Sequence, residues 1–115
     1  MRKKMKRAPR APTPAVRQLR QAIAAMDLVC AGTLLKRWKL CGRPNCRCAQ
    51  DPAARHGPYY EWSRRQDGRL RHSLLTPPQA QHIARAIKNH QQILVLLATW
   101  SLETARVLNI QTTSK

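Results

Sequence analysis

Three cysteines and one histidine lie close together in the middle of this chain. The first part runs Cys41-Gly42-Arg43-Pro44-Asn45-Cys46-Arg47-Cys48, and His56 follows eight residues later. Thiolates and an imidazole are the ligands that structural zinc prefers, and four of them complete its tetrahedral shell. Gly42 and the Pro44-Asn45 pair favour tight turns, so the chain can fold back on itself here. The sequence therefore predicts a structural Zn²⁺ held by Cys41, Cys46, Cys48 and His56.

The spacing of the thiols leaves other interpretations open. In an extended strand Cys46 and Cys48 would point to the same side, which favours a shared metal ion. The alternatives are reduced thiols, a redox pair, or an iron–sulfur cluster that also uses Cys30. Because Cys30 follows the apolar residues Leu28 and Val29, we interpret it as a small buried hydrophobic residue and exclude it from the zinc site.

Several short segments around the cysteines resemble a known family. They are Gly32-Thr33-Leu34, Arg37-Trp38, the run from Cys41 to Ala49, and His56-Gly57-Pro58-Tyr59-Tyr60. These segments resemble a family of short, uncharacterised bacterial proteins over roughly residues 28–100. The resemblance implies that the three cysteines and His56 belong together. It also implies a DNA-related context, because members sometimes occur beside mobile elements.

The chain is strongly basic. It has 22 Lys and Arg against five Asp and Glu, which gives a formal net charge of +17. The positive side chains of a compact chain repel one another unless a polyanion or counterions surround them. Nucleic acid is therefore the leading partner. DNA ranks above RNA because of the context that the resemblance implies. The acidic residues are scattered and do not form a two-metal catalytic site, so we expect no enzymatic activity.

No segment is apolar for long enough to span a membrane, since the run Ile93–Ala98 has only six residues. The basic N-terminus contains prolines where a signal peptide needs an apolar run. We therefore expect a cytoplasmic protein without a membrane partner, in which a reducing environment favours metal over a disulfide.

The composition changes along the chain predict three parts. Residues 1–14 are basic and contain three prolines, which indicates a disordered tail. Residues 15–110 are predicted to form a single α+β domain stabilised by the zinc ion, and residues 111–115 a polar tail. The expected fold has an N-terminal helix, a small three-stranded antiparallel sheet with the zinc knuckle, and a long C-terminal helix.

Periodicity and turn residues place these elements. Apolar residues at intervals of three and four predict a helix from Ala15, with Gly32 as its end. Strands are expected at 33–40, 59–65 and 69–75, the last two joined by an Asp-Gly hairpin turn. A second helix should follow an N-cap at Thr76 and run to about Ile110, with a kink or break near 99–101.

Setting the three strands side by side predicts two different faces. The apolar face should carry Trp38, Tyr60, Trp62, Leu70 and Leu74, and the basic face Arg37, Lys39, Arg65, Arg69 and Arg71. Two more arginines, Arg43 and Arg47, lie in the knuckle, by which we mean the turn from Cys41 to Cys48. The predicted nucleic-acid-binding residues are therefore Arg37, Lys39, Arg43, Arg47, Arg65, Arg69 and Arg71. A small domain without Phe needs its Trp side chains in the core, which favours contact with a duplex backbone over base stacking.

The predicted function is therefore a small basic zinc-stabilised protein that binds duplex DNA, as an accessory factor of a mobile element. One alternative is an RNA-binding protein. Another is an interaction or assembly subunit, because the apolar density of the helix at Ile83–Leu108 suggests a homodimer contact.

Overall fold

The computed structural model describes residues 11–40 and 42–111. Its main elements are α1 (Pro14–Ala24), β1 (Thr33–Lys39), β2 (His56–Gln66), β3 (Arg69–Leu75) and α2 (Pro77–Val107). The strands form a three-stranded antiparallel sheet in the order β1-β2-β3. The α+β class predicted from the sequence is therefore confirmed. No helix among the described residues is both long and apolar enough to cross a membrane.

The chain divides into two compact units. The sheet unit is Leu28–His90, and the helical unit contains the described residues on either side of it. The single domain expected over residues 15–110 stays a prediction. Of the two predicted tails, residues 1–10 and 112–115 lie outside the described residues.

Helix α1 begins as the sequence predicts and ends earlier. Thr13 is its N-cap, because the Thr13 hydroxyl accepts a hydrogen bond from the Val16 amide at 3.3 Å. The helix ends at Ala24 instead of continuing towards Gly32. The chain beyond Asp27 belongs to the sheet unit, where the Cys30 amide donates to the Ala86 carbonyl at 3.2 Å. That contact with α2 replaces further helical hydrogen bonds.

Helix α2 begins with a reciprocal cap. The Gln79 amide donates to the Thr76 hydroxyl at 3.2 Å, and the Gln79 side chain accepts from the Thr76 amide at 2.9 Å. The helix then runs without interruption to Val107, so the predicted break near 99–101 is wrong. The hydroxyls in this region donate to carbonyls one turn earlier and leave the helix continuous, as seen at Thr99, Ser101 and Thr104.

The predicted division of the sheet into an apolar and a basic face is wrong for β3. The hairpin turn places Asp67 and Gly68 at φ 55° and 74°, and it pairs Gln66 with Arg69. Directly paired residues share a face, so Arg71 lies beside Arg64 on the face of Trp62. A shift of one residue in register exchanges every side chain between faces, and the sequence-based arrangement contained such a shift.

We call the two sides of the sheet the helix face and the open face. The helix face carries Leu34, Lys36, Tyr60, Trp62, Arg64, Gln66, Arg69, Arg71, Ser73 and Leu75. The open face carries Thr33, Leu35, Arg37, Tyr59, Glu61, Ser63, Arg65, Leu70, His72 and Leu74. Residues of α2 line a depression together with Trp62 and Leu75. In contrast, Leu70 and Leu74 on the open face are 57% and 64% exposed.

Trp38 does not join the core. It was expected on the apolar face, but 51% of it is exposed. Trp38 lies near the end of β1, where the register with β2 shifts between Arg37 and Lys39. Trp62 is half-buried, and its indole N–H donates to the Ala31 carbonyl at 3.0 Å.

Candidate metal centre

Three of the four predicted zinc ligands come together. The ligand atoms of Cys46, Cys48 and His56 all lie within 4.8 Å of one another. The Cys46 Sγ is 3.1 Å from the His56 Nε2. Ligand atoms around a tetrahedral zinc ion are about 3.5–3.8 Å apart, so small side-chain movements would fit this group to the ion. Cys41, the predicted fourth ligand, lies outside the described residues.

The two thiols are brought together by a turn and not by a strand, so the extended geometry expected for Cys46 and Cys48 is wrong. Arg47–Ala49 form a 3₁₀ turn with Cys46 as its N-cap. The Cys46 amide donates to the Arg43 carbonyl at 3.1 Å, which closes a preceding turn. A second 3₁₀ turn, Pro52–Ala54, leads the chain back to His56 at the start of β2.

Gly57 allows β2 to approach β1 directly after His56. Its φ is +138°, in the region that favours glycine. A Cβ at this position would lie 2.8 Å from the Arg37 carbonyl oxygen and 3.2 Å from the Trp38 Cα. Pairing of His56 with Lys39 depends on this close approach, so the sheet positions the imidazole.

The cluster has a buried and an exposed side. Cys48 is 2% exposed, Cys46 is half-buried and His56 is exposed. Cys30 is not part of this group of described ligands. Burial raises the pKa of the Cys30 thiol, and the charge of Arg64 lowers it to a smaller extent. A protonated thiol is a poor metal ligand, because the metal binds the thiolate.

The predicted nucleic-acid-binding residues are distributed over different parts of the sheet unit. Arg37 and Arg65 lie on the open face, whereas Arg69 and Arg71 lie on the helix face. Lys39 has its Nζ 5.9 Å from the centre of the Tyr59 ring. Arg43 lines a depression beside the Cys46, Cys48 and His56 cluster, and Arg47 forms an ion pair with Asp51 at 3.8 Å. All seven side chains are exposed, but they do not form one basic sheet face.

An open depression beside the metal cluster was not predicted from the sequence. Its volume is about 610 Å³, and its lining residues are Arg43, Asn45, Cys46, His56 and Tyr59. The sequence contains an indication of it, because Tyr59 follows His56 by three residues. Asn45 was interpreted only as a turn residue. The Tyr59 ring, the Asn45 amide and the Arg43 guanidinium therefore line the same depression.

A second polar cluster lies on the open face. The Ser63 hydroxyl is 2.7 Å from the Nδ1 of His72, and a Glu61 carboxylate oxygen is 3.3 Å from the same nitrogen. A Ser–His–carboxylate relay requires the two partners on opposite ring nitrogens. This cluster therefore lacks the geometry of an activated serine nucleophile.

A family model described as a domain of unknown function (DUF6788) matches residues 10–83. The matched span contains α1, the whole sheet, the cluster of Cys46, Cys48 and His56, and the first turns of α2. No curated protein and no solved structure matches the chain.

Proposed function

The chain belongs to the DUF6788 family, whose function is unknown, and we propose that it is a small basic nucleic-acid-binding protein stabilised by a structural Zn²⁺. The observation that carries this proposal is the candidate metal cluster at the start of β2, in a sheet unit with exposed basic residues on both faces. The cluster supplies thiol and imidazole ligands within 4.8 Å. His56 belongs both to the cluster and to β2, which links metal binding to the sheet.

The small core of the sheet unit supports a structural role for the metal. Among its described residues, only Cys48, Ala80 and Ala86 are buried. Small side chains remove little apolar area from water, so they contribute little hydrophobic stabilisation. A metal that binds only the folded arrangement adds its binding free energy to folding. Two thiolates and an imidazole favour zinc among the common metal ions.

The basic charge of the sheet unit supports nucleic acid as the partner, and we assign the contact to the open face because residues of α2 lie beside Trp62 and Leu75 on the helix face. Ten Lys and Arg lie between Lys36 and Arg71, against three acidic residues. Arg37 and Arg65 are exposed on the open face, on which the half-buried Glu61 contacts His72. Phosphates neutralise such arginines, and the release of counterions drives binding.

The preference for a duplex needs revision. It rested on the expectation that Trp38 is needed in the core, and the 51% exposure of Trp38 removes that reason. DNA near a mobile element remains the setting that we propose, on the resemblance described above.

A comparison of two arginines tests the proposed surface. Arg65 is on the open face, and Arg71 is the neighbouring exposed arginine on the helix face. Both substitutions, Arg65→Ala and Arg71→Ala, remove one charge, so they are matched for bulk electrostatics. Binding of labelled oligonucleotides is measured by fluorescence anisotropy over a range of salt concentrations. We expect only Arg65→Ala to lower the log–log salt slope, by about 0.7–0.9 for one lost phosphate contact. Equal effects of the two substitutions would contradict open-face binding.

Exposed apolar residues on α2 favour a second proposed role, self-association. Leu94, Val95, Leu97 and Leu102 are all exposed, and Leu102 reaches 73%. Such residues along one helix are typical of a contact with a second copy. We therefore propose a homodimer through the predicted Ile83–Leu108 segment, with the contact concentrated on these residues.

Sedimentation of the full chain tests the homodimer. We expect a dimer for the wild type and a monomer for Leu102→Glu, because a buried unpaired carboxylate is costly. The control is Leu74→Glu, which puts the same charge on an exposed leucine of the sheet. A monomeric wild type at tens of micromolar, a concentration at which roughly micromolar affinity gives dimers, would exclude this role.

A further inference from the structure

We infer that the depression beside the metal cluster binds one unpaired nucleotide of a single strand, with its base stacked on Tyr59. This inference rests on the proposed nucleic-acid function and specifies the form of nucleic acid that the site recognises. It also assigns a role to Asn45, which was interpreted only as a turn residue, and it gives Tyr59 the base-stacking role that the sequence analysis ranked below contact with a duplex backbone. The inference depends on the lining of the depression, on the charges around it, and on how its residues are held.

The lining residues match the parts of a nucleotide. Tyr59 is 40% exposed and lines the depression, so part of its aromatic side chain is available to a ligand. Aromatic rings stack on unpaired bases, and a side-chain amide such as that of Asn45 can donate to and accept from a base edge. Arg43 supplies a guanidinium that can pair with a phosphate. The volume of about 610 Å³ lies within the range of small-ligand sites, about 300–1,000 Å³.

The surrounding charges favour an anionic ligand. Lys39 Nζ lies 5.9 Å from the Tyr59 ring centre, and Arg37 pairs with Tyr59 across β1 and β2. Of the nearest acidic residues in sequence, Asp51 contacts the Arg47 guanidinium at 3.8 Å, and Glu61 is half-buried with its carboxylate 3.3 Å from the His72 imidazole. A phosphate that follows the stacked base therefore meets lysine and arginine side chains.

A paired base cannot use this site. Bases within a duplex are stacked on their neighbours, and exposing one to a protein ring requires unpairing it. A single strand presents its bases without that cost. The depression therefore distinguishes single strands from duplexes, whereas the arginines of the open face alone would bind both.

The site is held in place before a ligand binds. Tyr59 lies within β2 and is paired with Arg37, and His56 and Cys46 contribute to both the depression and the metal cluster. A metal ion bound to Cys46 and His56 would fix these two lining residues in place. Because less side-chain freedom is lost on binding, such preorganisation strengthens the interaction.

Three substitutions test the stacking. Tyr59→Leu removes the ring and keeps an apolar side chain, and Tyr59→Phe keeps the ring and removes only the hydroxyl. Trp38→Leu is the control, because Trp38 is another exposed aromatic residue but does not line the depression. Zinc content by native mass spectrometry and circular dichroism verify that each variant retains the wild-type metal and fold.

The probes are oligo-dT and oligo-rU of about 20 nucleotides and a duplex of about 20 base pairs. These lengths exceed one binding site. We expect Tyr59→Leu to weaken binding to both single strands by roughly 5- to 160-fold, the range for losing one stacked base. Duplex binding should stay unchanged, and Tyr59→Phe and Trp38→Leu should bind the single strands like the wild type.

The outcomes separate this inference from the function on which it rests. If the wild type binds single strands and Tyr59→Leu binds them equally well, the stacking site is wrong and the proposed function stands. An equal loss for Trp38→Leu would also overturn the site, because the effect would not be specific to the depression. If the wild type binds none of the three probes at low salt, the proposed function itself is wrong.

Discussion

At the scale of single residues, Glu103 shows how side chains hold the helical unit together. Its carboxylate accepts hydrogen bonds from the Arg106 guanidinium at 2.5 Å and from the Thr13 hydroxyl at 2.7 Å. These bonds, that from Arg106 first, lower the pKa of Glu103 to about 2. Because Thr13 is the N-cap of α1, the carboxylate connects the start of α1 to α2.

The lowered pKa of Glu103 predicts a dependence of stability on pH. A carboxyl group that is more acidic in the folded state stabilises the fold above its unfolded pKa of 4.5, and this contribution is lost as the pH falls towards 2. Thermal unfolding followed by helical circular dichroism should therefore show wild-type stability falling across this interval. The variant Glu103→Gln should be less stable at neutral pH and fall less on acidification. The same pH dependence in both proteins would show that another group is responsible.

The cysteines allow a matched test of the ligand set. Cys48→Ser removes a buried thiol of the cluster, and Cys30→Ser removes a thiol that is outside it. Native mass spectrometry should find one zinc per chain in the wild type and in Cys30→Ser, and a reduced zinc content in Cys48→Ser. Loss of the metal from Cys30→Ser would show that the ligands are assigned wrongly.

At the scale of elements, local sequence signals predicted the turn and the helix cap but not the end of α1 or the faces of β3. The Asp67-Gly68 turn and the Thr76 cap depend on neighbouring residues, and both are confirmed. The end of α1 was missed because it depends on contacts with distant residues, such as the bond from the Asn89 side chain to the Leu28 carbonyl at 2.9 Å. The register of β3 was available from the two-residue turn, which pairs Gln66 with Arg69.

The candidate site was also predicted only in part: the ligand cluster was predicted, and the depression beside it was not. The grouping of Cys46, Cys48 and His56 follows from their closeness in sequence, and the structure brings their ligand atoms together. The depression with Tyr59 and Asn45 depends on how two short turns return the chain to β2. No periodic pattern describes those turns, so the sequence alone did not reveal it.

Two glycines test how β1 and β2 approach each other. Gly57 and Gly68 both have positive φ, but only Gly57 has backbone atoms in the space of a Cβ, at 2.8 Å. Gly68→Ala should cost about 1–2 kcal/mol of unfolding free energy from backbone strain alone. Gly57→Ala should cost more, because β1 must also move away. Urea unfolding measures both values, and equal losses would indicate that the close approach of the strands is not required.

At the scale of the whole molecule, the high positive charge and the small core both lower the stability of the fold. The net charge of +17 opposes compaction, and the described residues include no large side chain that is fully buried. Counterions or a polyanion would relieve the repulsion, and a metal would support the sheet unit. We therefore expect the melting temperature to rise with added salt and to rise further with a bound oligonucleotide. A melting temperature that does not respond to either would contradict this view of its stability.

The central claim is that a zinc-held knuckle organises the nucleic-acid-binding surface. The most direct measurement compares the zinc-loaded protein with the same protein after removal of the metal by a chelator, using oligo-dT binding over a range of salt concentrations. Removal leaves the basic residues in place, so bulk electrostatic attraction is retained. We predict that the metal-free protein binds at least about tenfold more weakly, because the Tyr59 depression and the β1–β2 arrangement are lost. Unchanged affinity and salt slope would show that the arginines act as an unstructured polycation, which contradicts the claim.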